Sequence, residues 1–240
     1  MFDLVILGLA IFAGAIVSGL AGFAFSAAAG AILLHVLVPS EAVPLMMACS
    51  IAVQAASLLL LRGTMKWADS LRFIIGGAFG IIPGLYMLNH VDAGTFRIGF
   101  GLFLALYSAY MLLRPRLQLF CQMKTRLYDA AVGFAGGLVG GLTAMPGAAP
   151  IVWCDLRGMP KEQQRGVVQP FIASMQVASM AVLGGTGGLS NKMLIEFAIT
   201  LPALAAGTAL GIFMFGKVDD LMFRRIVLAV LFASGLSFIF

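Results

Sequence analysis

Residues Gly133 to Pro150 read GFAGGLVGGLTAMPGAAP, and the reading of this stretch decides the fold. It is apolar enough for a membrane, yet so rich in glycine and proline that an undisturbed helix is not expected. In water such a stretch is a loop. In lipid it survives only where protein or a water-filled cavity satisfies its backbone. An earlier stretch, Gly14 to Ala31, GAIVSGLAGFAFSAAAGA, has the same character. Two interrupted apolar segments at corresponding places in two halves of a chain point to a transporter binding site.

The rest of the composition fits a membrane. The 240 residues are 61% hydrophobic and 10% charged, with mean hydropathy +1.04. Soluble domains carry about 25% charged residues, so the chain reads as a polytopic membrane protein without a soluble domain. The net charge of +5 sits in short loops, where it sets orientation rather than nucleic-acid binding. Cys49, Cys121 and Cys154 are odd in number and widely spaced; they read as free thiols that pack as small apolar groups. His35 and His90 have no ligand cluster around them, and no cofactor or metal is expected. The opening Met-Phe-Asp lacks the basic region of a signal peptide, so the first segment is read as part of the mature protein.

Eight apolar segments follow. Segment 1 covers residues 4–38, about 52 Å as one helix at 1.5 Å per residue, against a hydrocarbon core of about 30 Å. It must tilt, protrude or break, and Ser18 to Gly22 offers the break. Segments 2, 3 and 4 cover residues 39–61, 71–88 and 95–113. The polar connection 114–126 holds four basic residues. Segment 5 covers residues 127–154, and segments 6, 7 and 8 cover 162–183, 193–215 and 221–240. The halves repeat. Val91-Asp92 and Phe96-Arg97 return as Val218-Asp219 and Phe223-Arg224, Pro39-Ser40-Glu41 returns as Pro160-Lys161-Glu162, and Gly14 and Gly22 meet Gly133 and Gly141. Three matches in chain order favour duplication. The expected organisation is a first membrane repeat over 1–113, a basic connecting loop over 114–126 and a second membrane repeat over 127–240.

Charge separates two architectures. Eight plain crossings put eight basic residues on one side and seven on the other. If segments 1 and 5 are re-entrant, each half has three crossings and a hairpin, and the halves are inverted. One side then collects thirteen basic residues and the other keeps Arg97 and Lys192. The positive-inside rule prefers the second arrangement, with both termini outside. The fold class is therefore all-α and polytopic, with two inverted repeats of four apolar segments each and segments 1 and 5 broken.

Broken helices expose backbone N–H groups that, with the helix dipole, favour an anion. Candidate substrate residues are Gly19, Gly22 and Ser26 in the first hairpin, and Gly137, Gly140, Gly141, Thr143, Pro146 and Gly147 in the second. Tight helix packing is the competing role for each glycine. Segment 6 carries Arg165, Gln169, Gln176 and Ser179 on one helical face, and segment 2 answers with Ser50, Gln54 and Ser57. Polar side chains inside a membrane usually face a cavity or the bundle interior. Gln54, Gln169 and Gln176 would line an anion site, or would bond helices to one another. Arg165 would attract anions, or snorkel to the interface. No acidic residue sits clearly mid-membrane, and no catalytic constellation or phosphate loop is found, so no enzyme is expected.

Residues Gly136 to Gly166, GGLVGGLTAMPGAAPIVWCDLRGMPKEQQRG, resemble the second-half signature of the TauE/SafE sulfite exporter family, also called the toluenesulfonate uptake permeases. The shared features are a Gly-rich run, a Pro-Gly-Pro-like turn, an apolar run, then Pro-Lys and an Arg. Length and duplicated layout agree along nearly the whole chain. The first half departs: where the family often has a Gly-x-Gly-Gly-Gly cluster and a proline, this chain has Ala21-Gly22-Phe23-Ala24-Phe25-Ser26-Ala27. The resemblance implies a bacterial inner-membrane permease for sulfite or sulfur-containing organic anions, with Gly137 to Gly147 and Arg165 at its site and no cofactor. The function expected is secondary transport of small anions by alternating access. A passive anion channel, a transporter of a non-sulfur carboxylate and a non-transporting membrane subunit stay open. The partners expected are the anion and the bilayer; a coupling proton and a homodimer stay open, and nucleic acid is not expected.

Overall fold

A computed structural model describes residues 2–21, 24–60, 65–113, 126–214 and 220–239. Every element among them is helical: α1 (Phe2–Ala21), α2 (Phe25–Val36), α3 (Pro39–Leu60), α4 (Trp67–His90), α5 (Ala93–Leu113), α6 (Arg126–Thr143), α7 (Ala148–Leu156), α8 (Lys161–Gly185), α9 (Asn191–Met214) and α10 (Asp220–Ser237). Four of these helices are long and apolar enough to cross a membrane: α4, α5, α8 over Gln163–Gly185, and α9. Segments 1 and 5 are each divided into two shorter helices. Gly22, most of the 114–126 connection, Cys121 and the Val218-Asp219 pair lie outside the described residues.

The starts and stops follow local chemistry. Pro39 opens α3, where its missing N–H is no loss. The Asp92 carboxylate accepts the Thr95 N–H at 2.8 Å and caps α5; these bonds hold its pKa below the usual carboxylate value. Ser190 Oγ accepts the Met193 N–H at 3.0 Å ahead of α9. Pro44, Pro83, Pro170 and Pro202 lie inside helices, which membrane helices tolerate because neighbours re-satisfy the freed carbonyls.

The chain forms two compact units that do not follow chain order. One comprises Met1–Val53, His90–Arg114 and Leu189–Phe240; the other comprises Gln54–Asn89 and Pro115–Gly188. In the first unit, α2 folds back along α1, with Gly14 against Phe25 and Ala29. Helix α1 also runs parallel to α9: Gly207 meets Phe12 and Ala15, and Gly211 meets Ile16 and Gly19. Glu41 of α3 pairs with Lys192 of α9 at 2.7 Å and the Cys49 thiol lies within hydrogen-bond reach of Thr200, so α3 and α9 also run in the same direction. Helices α5 and α10 are antiparallel, since Gly101 meets Gly235 and Phe238 while Gly235 meets Ala105. His35 stacks on Phe238 with ring centroids 4.1 Å apart.

The second unit corrects the reading of its glycines. Gly133, Gly136, Gly137, Gly140 and Gly141 do not interrupt the helix; all lie inside α6. Three of them form a ladder with α4. Gly133 lies on the Phe73 carbonyl, Gly137 on that of Gly77 and Gly141 on that of Ile81, while Gly76, Gly80 and Gly84 of α4 lie on the carbonyls of Ala130, Phe134 and Leu138. The two helices are parallel and their backbones touch. A Cβ at any rung would collide with a backbone atom, so small residues at every fourth position set this approach.

Candidate substrate site at the tip of the second hairpin

The break in segment 5 comes after the glycine run, at residues 144–147. Ala144 has φ of 59°, the left-handed region that glycine normally supplies at a helix end. Its N–H donates to the Gly140 carbonyl at 2.8 Å, which closes α6. Only 1% of Ala144 is exposed. A non-glycine residue costs about 1–2 kcal/mol in this conformation and persists only where its surroundings fix it. Here Pro146 packs on Gly136 and Gly140 from within the hairpin, and Ile172 of α8 packs on Gly147. The Gln176 side-chain amide of α8 reaches the Ala144 carbonyl at 3.5 Å, at the long end for a hydrogen bond.

Helix α7 then starts at Ala148 and returns along α6 for nine residues. Its first turn carries N–H groups that a helix start leaves without intrahelical acceptors; that of Ala148 donates to the Met145 carbonyl at 3.3 Å. Pro150, in that turn, contributes none. The base of the return arm is fixed as firmly as its tip. Gln164 of α8 donates to the Ile151 carbonyl at 2.8 Å. The Trp153 indole N–H and the Arg157 guanidinium both donate to Asp129 Oδ1, at 3.0 and 3.1 Å. Asp129 lies in the first turn of α6, so both arms of the hairpin end at one place.

The residues named from sequence divide by what they touch. Gly19 packs on Gly211, and Gly137 and Gly141 pack on α4; their contacts are between helices. Thr143 is buried, but its hydroxyl donates to the Val139 carbonyl of its own helix at 2.7 Å. Gly140, Pro146 and Gly147 form the tip itself. Gln169 and Gln176 are buried in α8 with Ser179, and Gln54 is buried in α3; Arg165 is half-buried. Ser26 is buried in the first turn of α2 in the other unit, and its hydroxyl has no hydrogen-bond partner. The side chain of Ser57 and all of Gly22 lie outside the described residues. Among the described residues no His, Cys, Asp or Glu cluster could hold a metal.

The second hairpin thus has a buried, strained tip that leads into a helix start and lies against the Gln176-bearing face of α8. The family model described as sulfite exporter TauE/SafE matches residues 6–238. The chain belongs to that family. TauE/SafE proteins are membrane transporters, and this member is a multi-pass permease. No curated protein and no solved structure matches the chain significantly. The stretch Gly136 to Gly166, on which the sequence resemblance rests, covers the end of α6, the tip, α7 and the start of α8. Sequence reading missed three residues of this TauE/SafE hairpin, Asp129, Ala144 and Trp153, and also Gln164 of α8, which holds it. Gln164 stands in the run Gln163-Gln164-Arg165, and that excess of polar side chains at the start of a buried helix was its available signal.

Proposed function

We propose that this TauE/SafE member is a secondary transporter of small anions, sulfite or an organosulfonate, in a bacterial inner membrane. The observation that carries this reading is the second hairpin, in which a helix stops at a buried left-handed residue, turns and restarts, with its tip held by Gln176. The substrate anion is taken up by the α7 helix start, with Gln169 and Gln176 supplying amide donors. Ser26 and the start of α2 offer the same chemistry in the first unit. Gln54 and Arg165 complete the polar lining. The organic or inorganic nature of the anion is set by the space at the α7 helix start.

Helix directions support inverted repeats with re-entrant hairpins. Three crossings and one hairpin per half make α5 antiparallel to α10 and α3 parallel to α9, as observed. Eight plain crossings would reverse both relations. The elements also correspond in order and length, α1 to α5 with α6 to α10. In this reading the hairpins, with α3 and α8, move against the remaining helices to alternate access.

Flux in proteoliposomes tests the proposal, with sulfite, thiosulfate, taurine, sulfoacetate and lactate offered with and without an inward proton gradient. Saturable transport of a sulfur anion is expected, and Gln176→Ala at equal protein level should lower it. Flux that does not saturate would mean a channel. Lactate preferred over every sulfur anion would replace the substrate class. Unchanged flux in Gln176→Ala would remove that residue from the site.

A further inference from the structure

The mouth of the second hairpin holds a charged cluster that the anion site does not use. Asp129 of α6 has a side chain only 8% exposed. Its Oδ1 accepts both donors of the return arm, the Trp153 indole N–H at 3.0 Å and the Arg157 guanidinium at 3.1 Å. The Arg157 guanidinium lies 6.0 Å from the centre of the Trp153 ring, and Tyr128 flanks that ring at 6.0 Å between centroids. Oδ2 faces a third element, Arg72 of α4, at 3.7 Å, with the arginine side chain 44% exposed.

The two oxygens are therefore occupied unequally. Oδ1 ties the arms of the hairpin together by charge-assisted bonds, the strong kind. Oδ2 meets a loose, half-exposed guanidinium. Opening a buried ion pair is costly chiefly because it leaves one charge without compensation. Here Arg72 is already beside the carboxylate, and it can close the remaining distance when Arg157 departs. Arg157 is 25% exposed on its side chain, so a route outward into water is open to it. The cluster can exchange partners without stranding its buried anion.

We propose that Asp129 is a positioning residue that latches the return arm of the second hairpin and hands its charge from Arg157 to Arg72 when the arm moves during transport. This rests on the functional reading above, since it assigns the latch to a step of that transport cycle.

The chain has two tryptophans, and one of them is in the latch. Trp67→Phe leaves Trp153 as the reporter, read by acrylamide quenching in proteoliposomes that also report flux. Without anion, Trp153 should be partly shielded, as its intermediate exposure implies. The transported anion should raise its quenching constant about twofold, as when open and closed populations become comparable. Asp129→Asn keeps the acceptor for the indole and removes the charge. It should show high quenching with or without anion and a lowered maximal rate with KM little changed. Asp129→Glu should restore both the shielding and its response to anion. Anion-independent quenching in vesicles that transport normally, or normal flux from Asp129→Asn at equal protein level, overturns the latch alone. No flux for any anion offered overturns the functional reading, and the role in transport with it, even where Asp129→Asn still exposes Trp153.

Discussion

At the scale of the residue, the hairpin tip depends on an alanine where a glycine would be at ease. Ala144 holds φ of 59° inside a buried turn. Ala144→Gly should relieve about 1–2 kcal/mol of steric cost and add about 0.4–1 kcal/mol of freedom to the unfolded chain. The steric relief is the larger of the two, so the melting temperature in detergent should rise modestly. A β-branched side chain in this region is a genuine outlier, and Ala144→Val should lower the melting temperature and abolish flux together. Equal stability of the valine variant would show that the turn can relax elsewhere. The conformation of Ala144 is not legible from sequence: nothing in Thr-Ala-Met-Pro-Gly distinguishes a helix ending at 143 from one ending at the glycines before it. The polar residues were legible. Gln169, Gln176 and Ser179 fall on one helical face by spacing alone, and all are buried. The Asp129–Arg157 pair was not, because it depends on where the chain turns between two residues 28 apart.

At the scale of the element, glycine has two uses in lipid, and sequence alone confuses them. The run from Gly133 to Gly141 reads as a broken helix, but its partner is Gly76, Gly80 and Gly84, more than fifty residues earlier in the chain. The matching four-residue spacing of the two sets was the available signal. A methyl at Gly80 would collide with the Phe134 carbonyl, and the nearest relief is movement of a whole helix. Gly80→Ala should therefore destabilise by about 1–3 kcal/mol, the range for overpacked cores, and reduce monodisperse yield. Gly99, in α5, has nothing within 4 Å of an added Cβ. Gly99→Ala should be neutral or stabilise by up to about 1 kcal/mol. If the two substitutions behaved alike, α4 and α6 would not be held by backbone contact.

At the scale of the whole molecule, the extents of the apolar segments and the two divided segments were legible because length and hydropathy bound them against the bilayer. The membership of each compact unit was not, because each gathers helices from both sides of the 114–126 connection. The proposed inverted topology places both termini outside. A C-terminal alkaline-phosphatase fusion should accordingly be active and a C-terminal GFP fusion dark. The reverse pair of results would return the chain to another arrangement of crossings.

The pairing of α1 with α9 also bears on how the protein is made. Gly19 finds its seat on Gly211, so the first hairpin leaves the ribosome long before its partner exists. At about 5–20 residues per second that interval is roughly ten to forty seconds. Through it the small-residue face of α1 lies against lipid or an insertion factor. The nascent chain cannot close its first unit before α9 and α10 are synthesised, so its earliest segment waits longest for the partner it packs on.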